Sequence, residues 1–231
     1  MDLLKKIRFN LVLRKIQAFI WDLDGTLYFN KELIDNLREE YLHFFSDGKR
    51  NRLSLERHFI QEEQSGKSWL EIIQQKIDID EKKLILQVEG NFDKAKYVQN
   101  NDSLVDFFTQ SNSTHILVSN SPAKTAYAVL EKIGLRNYKS IFSHIITIEQ
   151  MAKIKPDSEL FNHIAGLVQL PHSSLLMIGD SQVNDIRPAQ EVGVRTCHVN
   201  NWGESSSADF SFGSIDELLK HLRKGVFTYF R

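Results

Sequence analysis

The sequence predicts an α/β fold in which a doubly wound parallel sheet carries an inserted α-helical domain. From residue 97 onwards, short apolar runs of strand length alternate with helical patterns, as in a parallel sheet whose strands are joined by helices. Residues 30–96, in contrast, show helical spacing and no strand alternation. Acidic residues directly follow two of the apolar runs, and open α/β sheets bind their ligands at the carboxyl ends of their strands.

Residues 1–15 are predicted to form an amphipathic helix that leads into the sheet and packs on it. Leu3, Leu4, Ile7 and Leu11 recur at helical spacing, with basic residues between them. An interfacial helix or a targeting peptide is the alternative. The segment has no apolar core or small-residue cleavage site typical of a secretory signal.

The first strand is predicted at residues 16–21, an apolar run rich in β-branched and aromatic residues. A helix over residues 31–45 follows, because its apolar residues recur on one side, and helical patterns continue from residue 53 to about 88. The resulting domain boundaries are a sheet domain at residues 16–29 and 97–231 and an inserted helical domain at residues 30–96.

Strands and helices alternate through the rest of the chain. Gly134 and Gly193 end two of the helices, since glycine is the usual residue just beyond a helix terminus. The predicted strands lie at residues 115–118, 145–148, 175–178 and 195–199. The predicted helices lie at residues 103–110, 123–133, 158–168, 185–192 and 215–222.

Composition narrows the class of protein. The 29 basic and 30 acidic residues nearly cancel, so no charge excess favours a nucleic acid or an anionic membrane as partner. No stretch reaches the roughly 18 apolar residues of a membrane span. The single cysteine, Cys197, cannot form an internal disulfide, which favours a reducing, cytoplasmic location.

Asp22 and Asp24 follow the first predicted strand directly, within the run DLDGTL at residues 22–27. Two carboxylates at the end of a buried strand are costly without counter-charge, so a cation is expected there. Since Asp-Gly is also a common turn dipeptide, a pair of exposed turn residues is the structural alternative.

Three further strand ends carry polar residues. Ser119 and Asn120 follow the second sheet strand and begin a helix, and a helix N-terminus is itself a site for anions. Lys155 lies before Pro156 in a stretch where Lys153 is the nearby competitor. The run GDSxxND at residues 179–185 supplies Asp180 and Asp185 after an apolar strand.

These four motifs, in this order and each after an apolar strand, resemble the haloacid dehalogenase (HAD) superfamily over residues 16–222. The commonest members of that superfamily are magnesium-dependent phosphatases. The wholly helical insertion after the first strand resembles the helical cap of one large subgroup. Dehalogenases and phosphonatases of the superfamily lack the second aspartate, so the presence of Asp24 favours phosphate esters as substrates.

The resemblance implies a role for each matched residue. Asp22 is the nucleophile that forms an aspartyl-phosphate, and Asp24 is the general acid and then the general base. Ser119, the backbone N–H of Asn120 and Lys155 bind the phosphoryl group. A Mg²⁺ ion is expected on Asp22, the backbone carbonyl of Asp24, Asp180 and Asp185, the last of which is alternatively a partner of Lys155 or of a metal-bound water.

The cap is expected to contact the substrate's leaving group, and Lys67 is the candidate for binding an anionic substrate. A solvated lysine is an equally good interpretation of Lys67. Tyr28, Phe29 and Asn30, where the insertion begins, are candidates for lining the pocket.

We expect a small phosphorylated metabolite as substrate and a monomer or weak homodimer as the assembly. A mutase of the β-phosphoglucomutase type shares all four motifs and is the alternative. A non-catalytic binding module that keeps the fold is less consistent with the intact acids at positions 22, 24 and 180.

Overall fold

The computed structural model describes residues 3–45, 57 and 80–226 of the chain. The helices are α1 (Leu3–Leu13), α2 (Lys31–Phe45), α3 (Glu81–Glu89), α4 (Asp102–Gln110), α5 (Ala123–Lys132), α6 (Tyr138–Ile141), α7 (Glu159–Val168), α8 (Arg187–Glu191) and α9 (Ile215–Val226). The strands are β1 (Ala18–Trp21), β2 (Thr114–Val118), β3 (His144–Ile146), β4 (Leu175–Gly179), β5 (Arg195–Val199) and β6 (Phe210–Phe212). None of the helices in this described part is long and apolar enough to cross a membrane.

The six strands form one parallel sheet in the order β3-β2-β1-β4-β5-β6. Strand β1 lies at its centre, where Ile20 is level with Ile116 of β2 and Met177 of β4. The strand order steps outwards from β1 in both directions, which is the arrangement of a doubly wound sheet. The carboxyl ends of β1, β2 and β4 therefore lie side by side, and the predicted fold class is confirmed.

Both faces of the sheet are covered by hydrophobic clusters. Strand β1 contributes to both clusters, because successive side chains of a strand point to opposite faces. Phe19 and Trp21 of β1 belong to the hydrophobic cluster on one face, together with Phe107 and Phe108 of α4. Ala18 and Ile20 belong to a second cluster on the other face, which contains Phe161 of α7. Because β1 is buried on both faces, its register with β2 and β4 is fixed. The position of Asp22, the residue after β1, is fixed with it.

Helix α1 packs on the sheet domain, but through a different side from the one that its leucine spacing predicts. Phe9 and Leu13 are buried, whereas Ile7 is 48% exposed and Leu11 54% exposed. The ring of Phe9 lies edge-on against Phe210, with ring centroids 4.7 Å apart. The sequence-based expectation missed this side because Phe210 belongs to β6, a strand of three residues that was not predicted.

The segment predicted as a helix at residues 185–192 has a different local structure. A wide turn at Gln182–Ile186 precedes α8, and the Ser181 hydroxyl accepts a hydrogen bond from Asn184 N at 3.1 Å. Pro188 occupies the first turn of α8, where its missing N–H has no helical partner to lose. The wide turn directs Asp185 back towards the sheet end.

Two helices of the inserted segment are described. Helix α2 has the predicted bounds, and α3 begins after Asp80, whose side chain accepts a hydrogen bond from Lys83 N at 2.9 Å. Helix α3 leads through a short 3-10 turn, Lys94–Tyr97, back to the sheet domain. The other helical patterns of the insertion, with Lys67, lie outside the described residues, so the extent of the cap stays a prediction.

A buried histidine makes the stability of the fold depend on pH. His115 of β2 accepts a hydrogen bond from the Trp21 indole N–H at 3.0 Å, and burial lowers its pKa to about 4. The unfolded chain binds this proton near pH 6.5 and the folded chain only near pH 4. The contribution of neutral His115 to the free energy of unfolding is therefore fully present above about pH 6.5 and is lost as the pH falls from 6.5 towards 4.

We expect the free energy of unfolding to fall by about 2 kcal/mol between pH 7.5 and pH 5 because of this group. Urea unfolding at both pH values measures it. In His115→Gln, which has no proton to gain, that part of the pH dependence should be absent. An unchanged pH dependence in the variant would refute the assignment.

Candidate active site

The polar residues that follow the predicted strand ends lie together at the carboxyl edge of the sheet. Direct hydrogen bonds or ion pairs connect Asp22 with Lys155, Lys155 with Asp185, and Ser119 with Asp24. Asp180 completes the group, with a carboxylate close to those of Asp22 and Asp185. The site thus combines the ends of β1, β2 and β4 with the loop that carries Lys155.

The turn after β1 brings this edge close to the end of β4. Asp22 N donates to Ile178 O at 2.9 Å, so the pairing of β1 with β4 continues one residue beyond the strand. Gly25 has a φ of +79°, a conformation that L side chains rarely adopt, and a Cβ atom there would overlap the Asp180 carboxylate. Only glycine allows the turn to lie against Asp180.

Lys155 lies between two buried carboxylates. Its Nζ is 2.6 Å from Asp22 Oδ1 and 2.7 Å from Asp185 Oδ1. Burial lowers the pKa of Lys155, but Asp185 and Asp22 outweigh burial and hold the pKa above the usual range of lysine. Lys153, in contrast, is exposed and pairs with the surface acids Asp157 and Glu159.

Asp22, Asp180 and Asp185 each place one carboxylate oxygen within 4.8 Å of the others. Burial, against the attraction of Lys155, raises the pKa of Asp22 to about 7, and burial with the charges of Asp22 and Asp185 raises that of Asp180 well above its usual value. Asp22 Oδ2 is buried and has no hydrogen-bond partner among the described residues. Three neighbouring carboxylates, two of them buried, fit a hard divalent cation, which takes oxygen ligands.

Asn120 and Ser119 take different parts in the site. The Asn120 side chain makes two hydrogen bonds to the main chain of Lys155, accepting from N at 3.1 Å and donating to O at 2.9 Å. The side chain of Asn120 therefore positions the loop of Lys155. The Ser119 hydroxyl is buried and donates to Asp24 Oδ2 at 3.3 Å.

Donors surround the Asp24 carboxylate on both oxygens. Oδ1 accepts from the Tyr28 hydroxyl at 2.5 Å and from Lys94 Nζ at 3.0 Å, and Oδ2 accepts from the Ser121 hydroxyl at 2.5 Å. Burial raises the pKa of Asp24, but the charge of Lys94 and these hydrogen bonds outweigh it and hold the pKa below its usual value. Asp24 is therefore ionised in this arrangement.

Sequence reasoning missed Lys94 and Ser121. Ser121 was available as the neighbour of a matched motif, and Tyr28 had been expected only to line the pocket. Lys94 belongs to no motif, and the chain has many lysines that are solvated. Since 69 residues separate Asp24 from Lys94, only the fold brings the two together.

A family model described as haloacid dehalogenase-like hydrolase matches residues 19–199. A phosphoglycolate phosphatase from Vibrio parahaemolyticus is 32% identical over 117 residues, which are 48% of this chain and 50% of the relative. A glyceraldehyde 3-phosphate phosphatase from Methanocaldococcus jannaschii is 21% identical, with 90% of this chain and 99% of the relative covered. The chain thus spans about half the length of the first of these relatives and nearly all of the second.

A solved structure from Bacillus subtilis, assigned as a HAD hydrolase and bound to magnesium, superposes with a TM-score of 0.57. The two sequences are 18% identical, and the match covers 90% of this chain and 98% of that chain. At this identity the likeness establishes the fold alone.

The buried position of Lys155 leads to a stability prediction. Lys155→Met should lower the free energy of unfolding by about 3–5 kcal/mol, because it leaves Asp22 and Asp185 buried without their counter-charge. Lys153→Met is the matched control and should cost less than about 1 kcal/mol, since its ion pairs are exposed. Urea unfolding in EDTA measures both, and equal losses would contradict the proposed charge balance.

Proposed function

The chain belongs to the haloacid dehalogenase-like hydrolase family, and we propose that it hydrolyses a small phosphomonoester through an aspartyl-phosphate on Asp22. The observation that carries the proposal is the buried, unpartnered Oδ2 of Asp22, whose other oxygen is held by Lys155. An oriented carboxylate with one free oxygen has the geometry of a nucleophile.

In the first step, Asp22 Oδ2 attacks phosphorus and the bond from phosphorus to the ester oxygen breaks. Asp24 first takes up a proton from solvent as one of its present donors withdraws, and then donates that proton to the leaving oxygen, which departs as the alcohol. In the second step, Asp24 takes a proton from water as the water attacks phosphorus, and inorganic phosphate leaves with Asp22 restored. General acid–base catalysis of this kind contributes about 10²–10⁴-fold.

The remaining residues bind and orient the phosphoryl group. The ammonium group of Lys155 contacts Asp22, so it would place positive charge beside the phosphoryl oxygens, where negative charge develops during the transfer. Ser119 and the backbone N–H of Asn120 are proposed as hydrogen-bond donors to the same group, at the beginning of the segment that leads into α5. The Asn120 side chain keeps Lys155 in place through its main chain.

We propose Mg²⁺ as the cation. Asp22, Asp180 and the backbone carbonyl of Asp24 would hold it, with Asp185 in support through its ion pair with Lys155. When bound, the ion supplies positive charge that neutralises the carboxylates and the phosphoryl oxygens.

The substrate class follows from both the acid and the relatives. Asp24 supplies the proton that an alkoxide leaving group needs, which favours phosphate esters. The two relatives named above act on phosphoglycolate and on glyceraldehyde 3-phosphate, both small alkyl phosphates. Lys67 stays a prediction for contact with such a substrate. The free, buried Cys197 is consistent with a cytoplasmic location, which is part of the proposal.

Activity provides the first test. Inorganic phosphate release should be detected from at least one member of a panel of phosphomonoesters in Mg²⁺, and should stop in EDTA. Asp22→Asn, which has the same shape and a much weaker nucleophile, should abolish release. Wild-type turnover by Asp22→Asn would contradict the covalent mechanism. Exchange of phosphate between isomers with little release would instead identify a mutase.

Metal binding can be measured without activity. Mg²⁺ at about 100 times its dissociation constant should stabilise the folded chain by about 2.7 kcal/mol, seen as a raised melting temperature. Asp180→Asn should lose this gain, because it removes a ligand charge. Asp157→Asn, a surface carboxylate paired with Lys153, is the matched control and should keep it. An equal gain in all three proteins would argue against a site at Asp180.

A further inference from the structure

We propose that Lys94 is a positioning residue that sets the orientation of the Asp24 carboxylate and links it to the helices of the inserted segment. The inference rests on the proposed function, in which Asp24 transfers protons to and from the substrate. Lys94 belongs to none of the four sequence motifs. The contacts of its ammonium group carry the argument.

Lys94 lies in the 3-10 turn through which the inserted segment returns to the sheet domain, and its residue is only 3% exposed. Its Nζ contacts Ser121 Oγ at 2.6 Å, Glu89 Oε2 at 2.8 Å and Asp24 Oδ1 at 3.0 Å. An ammonium group has three N–H donors. Since all three are used within the protein, Lys94 holds side chains in place and has no donor left for a substrate.

The contacts with Asp24 fix the direction of its carboxylate. Lys94 binds Oδ1 directly and also binds the Ser121 oxygen, whose hydroxyl donates to Oδ2 at 2.5 Å. One ammonium group therefore acts on both carboxylate oxygens, one directly and one through Ser121. All of the hydrogen bonds to Asp24 are charge-assisted because the carboxylate is ionised, and among the donors Lys94 is the one that carries a positive charge and acts on both oxygens.

The same ammonium group is connected to both described helices of the insertion. Glu89, at the end of α3, accepts from Lys94 through Oε2 and from the Tyr41 hydroxyl of α2 through Oε1, at 2.7 Å. Tyr41, Glu89 and Lys94 are all buried. A change in the position of α2 and α3 relative to the sheet domain would therefore move Lys94 and, through its hydrogen bond, the Asp24 carboxylate.

A positioning role predicts an effect that depends on the leaving group. An alkoxide needs a proton from Asp24 as it leaves, whereas p-nitrophenolate is weakly basic and leaves without one. If Lys94 aims Asp24, its loss should slow the transfer to Asp22 for alkyl esters far more than for p-nitrophenyl phosphate. A merely structural lysine would lower both rates by the same factor.

The test compares kcat/KM, which reports the steps up to the first phosphoryl transfer, for wild type and Lys94→Met. For the alkyl phosphomonoester that is hydrolysed fastest in the panel above, we expect a loss of about 100-fold, the lower range of general acid catalysis. For p-nitrophenyl phosphate we expect a much smaller loss. Lys94→Arg, which keeps the charge, should recover part of the alkyl-ester activity.

Two further variants keep the test decisive. Lys96→Met lies in the same turn, but its side chain is exposed and lies over the Tyr97 ring, so it should change neither rate. If Lys94→Met does not fold because Glu89 is left without its counter-charge, Glu89→Gln combined with Lys94→Met removes both charges and should show the same selective loss. Equal losses for the two esters in the folded variant would overturn the proposal.

A crystal structure of the variant tests the orientation independently of turnover. In Lys94→Met, or in the double variant, the Asp24 carboxylate should turn away from Ser121. An unmoved carboxylate would overturn the positioning role even if the enzyme is active. If the wild-type protein hydrolyses no phosphomonoester, the proposed function fails, and the structure alone still decides whether Lys94 orients Asp24.

Discussion

The ion pairs of Lys155 are the interaction on which the rest of the site depends. Asp22 and Asp180 follow two adjacent parallel strands, and the wide turn after β4 brings Asp185 back to them. The mutual repulsion of the three carboxylates would favour protonation or separation. The ammonium group of Lys155 contacts Asp22 and Asp185 at once and makes their close approach possible. The Asn120 side chain accepts one hydrogen bond from the Lys155 main chain and donates another to it, so the loop is held by its backbone as well as by charge.

The site divides its acids between two lysines. Lys155 forms ion pairs with Asp22 and Asp185, and Lys94 forms ion pairs with Asp24 and Glu89. The two aspartates that follow β1 are only two residues apart, yet their surroundings move their pKa values in opposite directions, up for Asp22 and down for Asp24. Different surroundings for neighbouring carboxylates are the means by which one short turn can carry two chemical roles.

The motif residues could be predicted from the sequence because each follows an apolar run that folds as a strand of the same sheet. Their proximity then follows from the topology, since parallel strands end at one edge of the sheet. The fold class was predicted for the same reason. Lys94, Glu89 and the buried side of α1 were not, since they depend on contacts between segments far apart in the chain. A short strand such as β6 has too few residues to show a period, and without it the partner of Phe9 could not be recognised.

The carboxylate of Asp24 is held from both junctions of the insertion, by Tyr28 just before α2 and by Lys94 just after α3. This limits how such insertions can be exchanged between related proteins. A chimera joined outside positions 28 and 94 would have to bring its own pair of donors, and one joined inside them would have to supply a carboxylate in place of Glu89. Recombination that treats the insertion as an independent module therefore separates Asp24 from the donors that hold its carboxylate.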